Sequence, residues 1–260
     1  MIPDSHRDLL ERPLPAVLAN HLSTGRLQVS VVWVMPDGDD VVLSTMAEFA
    51  KARHLRERPR ATLLLRDADG RWLELRADVV HDPAERPEDA VAVLDAIAVR
   101  YTGVAPHFGA VVPAEVAEVE HPVTFRLRPV RVAAGTTVPV APPVGPADSL
   151  SPGTVPLPAT HLDLLDGRTS AVLATVRPDG RACTRPTACG TDGTAVIVPA
   201  DDEVLADLAA DPRATALVVD PGNSSRWLQV RADADVTRTP GVPGAVVRLV
   251  PRRVVCDAIH

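Results

Sequence analysis

Aromatic residues are scarce in this sequence. Phe, Tyr and Trp make up 3% of 260 residues. A core must therefore be built from Val, Leu and Ala, and with 46% apolar residues there is enough material for a sizeable one. No apolar run approaches the roughly 18 residues that mark a membrane-spanning helix. The opening stretch MIPDSHRDLLERP carries no signal-peptide pattern, which predicts a cytoplasmic protein. Basic residues are outnumbered: the net charge is −7, which argues against a general nucleic-acid binder. Cys183, Cys189 and Cys256 lack C-x-x-C spacing and fit reduced thiols better than a disulfide framework.

The motifs of side-chain catalysis are also missing. There is no G-x-G-x-x-G, Walker A, G-x-S-x-G or H-E-x-x-H pattern. His54, His107 and His121 are scattered without metal-ligand spacing, so no metal site is predicted. The carboxylates form no recognisable acid–base pair, and no catalytic residue is identified. A chain of this kind is better suited to positioning a cofactor that does the chemistry itself.

What is present is a repeat. At an offset of 155, Asp8-Leu9-Leu10 returns as Asp163-Leu164-Leu165, and Ala16-Val17-Leu18-Ala19 as Ala171-Val172-Leu173-Ala174. The offset is 153 where Pro59-Arg60-Ala61-Thr62 becomes Pro212-Arg213-Ala214-Thr215. It is 155 again where Arg71-Trp72-Leu73 becomes Arg226-Trp227-Leu228. Identities held in register over this length indicate an internal duplication. Each copy reads as a short opening helix and a run of strands joined by hairpin turns such as Pro178-Asp179-Gly180. A small antiparallel barrel buries such strands without open edges. The first copy adds a helix between Pro87 and Gly103, and the second replaces it with a Pro/Gly loop over 237–244. Residues 134–158 are rich in Pro and read as a linker.

Residues 44–60 stand out within the first copy. An apolar run, Val41-Val42-Leu43, leads into Thr45-x-x-Glu48, a capping-box pattern that predicts a helix start. Met46, Phe49, Ala52 and Leu55 form its apolar stripe, and Pro59 ends it. The helix carries Lys51, Arg53 and Arg56. A helix start with cations close behind can hold a phosphate, and a solvated basic face is the alternative reading.

The stretches Gln28-Val29-Ser30-Val31-Val32-Trp33-Val34, Asp37-Gly38, Val41-Val42-Leu43-Ser44-Thr45, Lys51-Ala52-Arg53-His54-Leu55, Pro59-Arg60-Ala61 and Arg71-Trp72-Leu73-Glu74-Leu75-Arg76 carry a resemblance. In order and spacing they resemble the pyridoxamine-phosphate-oxidase-like split barrels that bind flavins and deazaflavins. The second copy is similar over 171–236 but has Val204 and Ala206 in the places of Lys51 and Arg53.

The resemblance implies a mainly β fold of two tandem FMN-binding split barrels forming an intrachain pseudo-dimer. The first barrel spans 1–133, the linker 134–157 and the second, degenerate barrel 158–260. It implies cofactor contacts from Gln28, Val29, Ser30 and Val31 along the ring, from Ser44, Thr45, Lys51 and Arg53 near the phosphate, and from Trp227. The implied cofactor is coenzyme F420 or FMN. The implied activity is hydride transfer to a small-molecule substrate by a monomer with no nucleic-acid or membrane partner. Two alternatives stand beside it: a non-catalytic flavin or deazaflavin carrier, and a cofactor-free degenerate barrel. The chain departs from the family where His54 replaces the usual Asn and where the C-terminal Arg and His pattern of pyridoxamine-phosphate oxidases is missing.

Overall fold

A computed structural model describes residues 2–137, 142, 152–167, 169–237 and 245–256. Most of the Pro-rich linker (138–141 and 143–151) and the Pro/Gly loop at 238–244 lie outside the described residues. The chain divides into two units, one of residues 1–23 and 30–135, the other of residues 24–29 and 136–260.

Along the first sheet, α1 (Asp4–Glu11) precedes β1 (Ala16–His21), β2 (Leu27–Val32, divided between the units after Val29), β3 (Val34–Asp37) and β4 (Asp40–Met46). Then come α2 (Ala50–Glu57), β5 (Arg60–Arg66), β6 (Arg71–Val80), α3 (Pro87–Thr102) and β7 (Pro122–Thr136). The seven strands form one sheet in the order β2-β1-β5-β6-β7-β4-β3. In the second unit, a 3-10 helix (Ala159–Leu165) leads to β8 (Ser170–Val176), β9 (Ala182–Ala188), β10 (Gly190–Thr191) and β11 (Val196–Ala200). Next are α4 (Asp202–Ala210), β12 (Arg213–Asp220), β13 (Asn223–Thr237) and β14 (Ala245–Cys256). Their order is β10-β11-β14-β13-β12-β8-β9, the first order strand for strand when read from its other edge. Each sheet is a curled antiparallel half-barrel, and the fold is a tandem split barrel of mainly β structure.

The duplication extends to register. Val17 lies opposite Leu64, and the same offsets place Val172 opposite Leu217, as observed. Alternate residues of each strand enter the core, as the period-2 geometry of a strand demands. Ala61, Leu63 and Leu65 do so on β5, and Ala214, Ala216 and Val218 on β12. Among the described residues, Phe125 on β7 is the largest fully buried side chain. The identities that marked the repeat also form matching clamps. Arg71 donates to Asp8 at 3.1 Å, and Arg226 donates to both carboxylate oxygens of Asp163 at 2.6 and 2.9 Å. Each clamp ties the opening helix to the start of a long strand.

α3 begins with Pro87 in its first turn and ends at Gly103, whose φ of 79° is the left-handed stop that glycine adopts without strain. α2 differs from its expected form. It starts at Ala50, with Phe49 at the cap position and no side-chain cap. The reason is that β4 continues through Thr45, which pairs with Val123 and so cannot cap a helix. Glu48 turns instead to His121, accepting its backbone N–H at 3.1 Å. Met46 therefore belongs to a strand rather than to the helical stripe. β14 tolerates Pro251 because the β13–β14 register shifts there, and a bulge spares the missing N–H.

Gly135 on β7 lies against Trp72 of β6. A Cβ at Gly135 would come within 2.9 Å of the indole Cζ2, too close without a shift of the ring. Gly135→Ala is expected to cost about 1–3 kcal/mol through overpacking. Trp72→Phe, which removes the outer ring, should relieve most of that penalty. Denaturant titration of both single variants and the double variant measures the coupling.

Candidate functional site

The candidate site is the end of the first half-barrel that α2 covers. α2 packs against β1 and β4, and the connection from β4 to α2 is Ala47-Glu48-Phe49. Lys51 sits in the first turn of α2 and is half-buried. Burial lowers its pKa to about 8, and no carboxylate among the described residues is paired with it. A desolvated ammonium without a counter-charge is costly, and an anionic ligand would remove that cost. With no side-chain cap, the start of α2 adds its N–H groups and dipole to the same end.

The hydroxyls on β4 separate. Thr45 is buried and shares the core-facing alternation of Val41 and Leu43, while Ser44 faces the other way. The buried Ser44 Oγ finds no hydrogen-bond partner. On β2, Gln28 and Ser30 share the alternation of Val32, which enters the core. Gln28 Oε1 and Ser30 Oγ are buried without partners. Val29 is fully buried, and its carbonyl accepts from the Gln229 amide within the second unit. Val31 is half-buried. Arg53 is exposed, and Arg56 lies over the Phe125 ring at 5.8 Å.

Trp33 stacks on Tyr101 of α3, with ring centroids 5.0 Å apart, which gives it a packing role. Trp72 packs at Gly135. Trp227 is half-buried on β13, opposite Val219. Two open clefts of about 400 Å³ in the first unit lie elsewhere, one beside Val130 and one beside Thr124. Among the described residues no cluster of His, Cys, Asp and Glu could hold a metal ion. No helix there is long and apolar enough to cross a membrane. Cys183 and Cys189 are buried, and burial pushes the Cys189 thiol up to about 12, so it is no nucleophile.

One polar residue of this end was not singled out from the sequence. Asn20 on β1 is fully buried, and both its Nδ2 and its Oδ1 lack partners. The signal was available, because Asn20 interrupts the core-facing alternation set by Ala16 and Leu18.

The equivalent end of the second unit is chemically closed. The connection from β11 to α4 is the single residue Asp201, whose carboxylate caps α4 by accepting the Val204 N–H at 2.8 Å. Arg185, which replaces Ser30, donates to Glu203 at 2.7 Å and to Asp207 at 3.4 Å. Thr175, which replaces Asn20, donates to the buried Asp207 at 2.8 Å. Val204, in the place of Lys51, is simply buried.

Solved structures similar to this chain include an F420 reductase, 27% identical with a TM-score of 0.42, the match covering 51% of this chain and 98% of that one. A conserved hypothetical protein from Mycobacterium tuberculosis is 22% identical with a TM-score of 0.43, over 52% of this chain and 86% of that one. The heme storage protein HutZ from Vibrio cholerae is 14% identical with a TM-score of 0.39, over 51% of this chain and 92% of that one. No curated protein matches the chain. A family profile described as pyridoxamine 5'-phosphate oxidase matches residues 2–133 and 157–253, and the chain belongs to that family.

Proposed function

We propose that this protein binds a phosphate-bearing flavin or deazaflavin, FMN or coenzyme F420, and works as an oxidoreductase that passes hydride between that cofactor and a small organic acceptor. The observation that carries this reading is Lys51, a desolvated cation with no carboxylate partner at an uncapped helix start. These features fit a phosphate, which would restore the solvation that the ammonium has lost and accept from the free N–H groups. Ser44 and Thr45 add hydroxyls at the same end of β4. On β2, Val31 offers a half-buried apolar edge for a planar ring, and Gln28, Val29 and Ser30 complete that strand. Trp227 is kept as a candidate neighbour of the ring, and Arg53 as an outer charge.

When bound, the cofactor supplies the hydride chemistry. The chain's own groups hold the phosphate and exclude water from the ring.

Calorimetry with FMN and with coenzyme F420 tests this reading. It should give about one cofactor per chain, because the second unit has spent its equivalent groups on itself. A charge-assisted contact contributes about 1.5–3 kcal/mol, so Lys51→Ala should weaken binding roughly ten- to hundredfold. Val204→Ala should leave it unchanged. Two equal sites, or normal affinity in Lys51→Ala, would refute the assignment. Tryptophan emission that is quenched by cofactor in the wild type but not in Trp227→Phe would place Trp227 at the ring.

Lys51 also makes a prediction about pH. In the unfolded chain the ammonium keeps its proton up to about 10.5, and in the folded chain only to about 8. The unfolded state binds more protons in that window, so the stability of the ligand-free protein rises as pH climbs through it. Lys51→Met should abolish that rise. Cofactor affinity should run the opposite way in the wild type and decline above about pH 8, as the ammonium loses its proton.

A further inference from the structure

We propose that Asn20 is a phosphate-contacting residue of the first unit, and that the Asp207 carboxylate fills the equivalent place in the second unit as a built-in anion. This rests on the phosphate reading of Lys51 and extends it to a residue on a different element.

The register of the two copies carries the inference. Asn20 lies opposite Ala61 in the β1–β5 pair. The β8–β12 pair has the same register, which puts Thr175 in the place of Asn20. Thr175 follows Ala171 and Leu173 on the core-facing side of β8 and meets a polar group there. Its hydroxyl donates to Asp207 on the covering helix α4, and Arg185 on β9 donates to the same carboxylate oxygen. The second unit therefore brings a strand hydroxyl and a guanidinium together on one buried oxyanion.

In the first unit the donors have changed and the anion is missing. His54 stands in the place of Asp207 and Ala50 in the place of Glu203. The strand positions carry Asn20 and Ser30, with Lys51 added on the helix. Asn20 is 0% exposed, with neither amide atom bonded, and Ser30 Oγ is buried without a partner. A buried carboxamide with no partner within the protein is rare in native structures and calls for a group from outside the chain. The group that fits has several acceptor oxygens, carries negative charge and is not supplied by the chain. A phosphate monoester or diester meets all three conditions. Asn20 Nδ2 and the Ser30 hydroxyl then donate to its oxygens, as Thr175 and Arg185 donate to Asp207.

Paired ligands that differ in the phosphate test this directly. FMN is compared with riboflavin, and coenzyme F420 with its phosphate-free deazaflavin core, on wild type, Asn20→Val and Asn20→Thr. Asn20→Val should lower affinity for the phosphorylated ligand at least about tenfold and leave the phosphate-free ligand unchanged. The same variant should melt at a higher temperature than wild type without ligand, because it removes two unanswered polar atoms. Asn20→Thr keeps a donor and should recover part of the lost affinity. If wild type prefers the phosphorylated ligand and Asn20→Val keeps that preference in full, the Asn20 assignment is wrong while Lys51 stands. If wild type shows no preference for phosphate at all, both readings fall together.

Discussion

A polar atom taken out of water must be given a partner, and this requirement orders the structure at every level. The barrel strands meet it through their ladders. The opening segments meet it through the Arg71–Asp8 and Arg226–Asp163 clamps. Tyr101 meets it by donating to the Leu14 carbonyl while its ring supports Trp33. With so few aromatics the core is filled by small aliphatic side chains, which are non-directional. The directional contacts are what fix helices and turns upon it.

Seen this way, the two copies are one fold with two solutions at the helix-covered end. In the second, Asp201 caps the helix and the Arg185, Glu203, Asp207 and Thr175 network answers the buried groups from within. In the first, Lys51, Asn20 and Ser30 are left without such answers. The backbone register is the same, so the difference lies in a handful of side chains and in the connection that precedes the helix.

Much of the fold was legible in the sequence because it depends on local pattern. The offsets of 155 and 153 fixed the duplication, and the structure reproduces them as strand register. Pro87 and Gly103 bounded α3 correctly. α2 was misread at its start because Thr45-x-x-Glu48 is a valid capping pattern locally, and only the pairing of Thr45 with Val123 overrules it. The Lys51 position was visible as a basic helix, but its desolvation was not, because desolvation is a property of what packs around it. Asn20 was overlooked for a related reason. A polar residue in an apolar strand acquires meaning only when the partners it lacks are known.

The connections before the two helices carry a last consequence. Three residues, Ala47-Glu48-Phe49, precede α2, and Asp201 alone precedes α4. In an assembly of identical subunits, every substitution is made in both sites at once, so neither can be surrendered. A fused duplicate is free of that symmetry. Its second copy could shorten a connection, seal its helix and spend its polar groups on its own stability without touching the first. Most proteins meet a conflict between a stable site and a receptive one at the same residues. In a tandem duplicate the two copies change independently, so such a conflict need not be met in both of them.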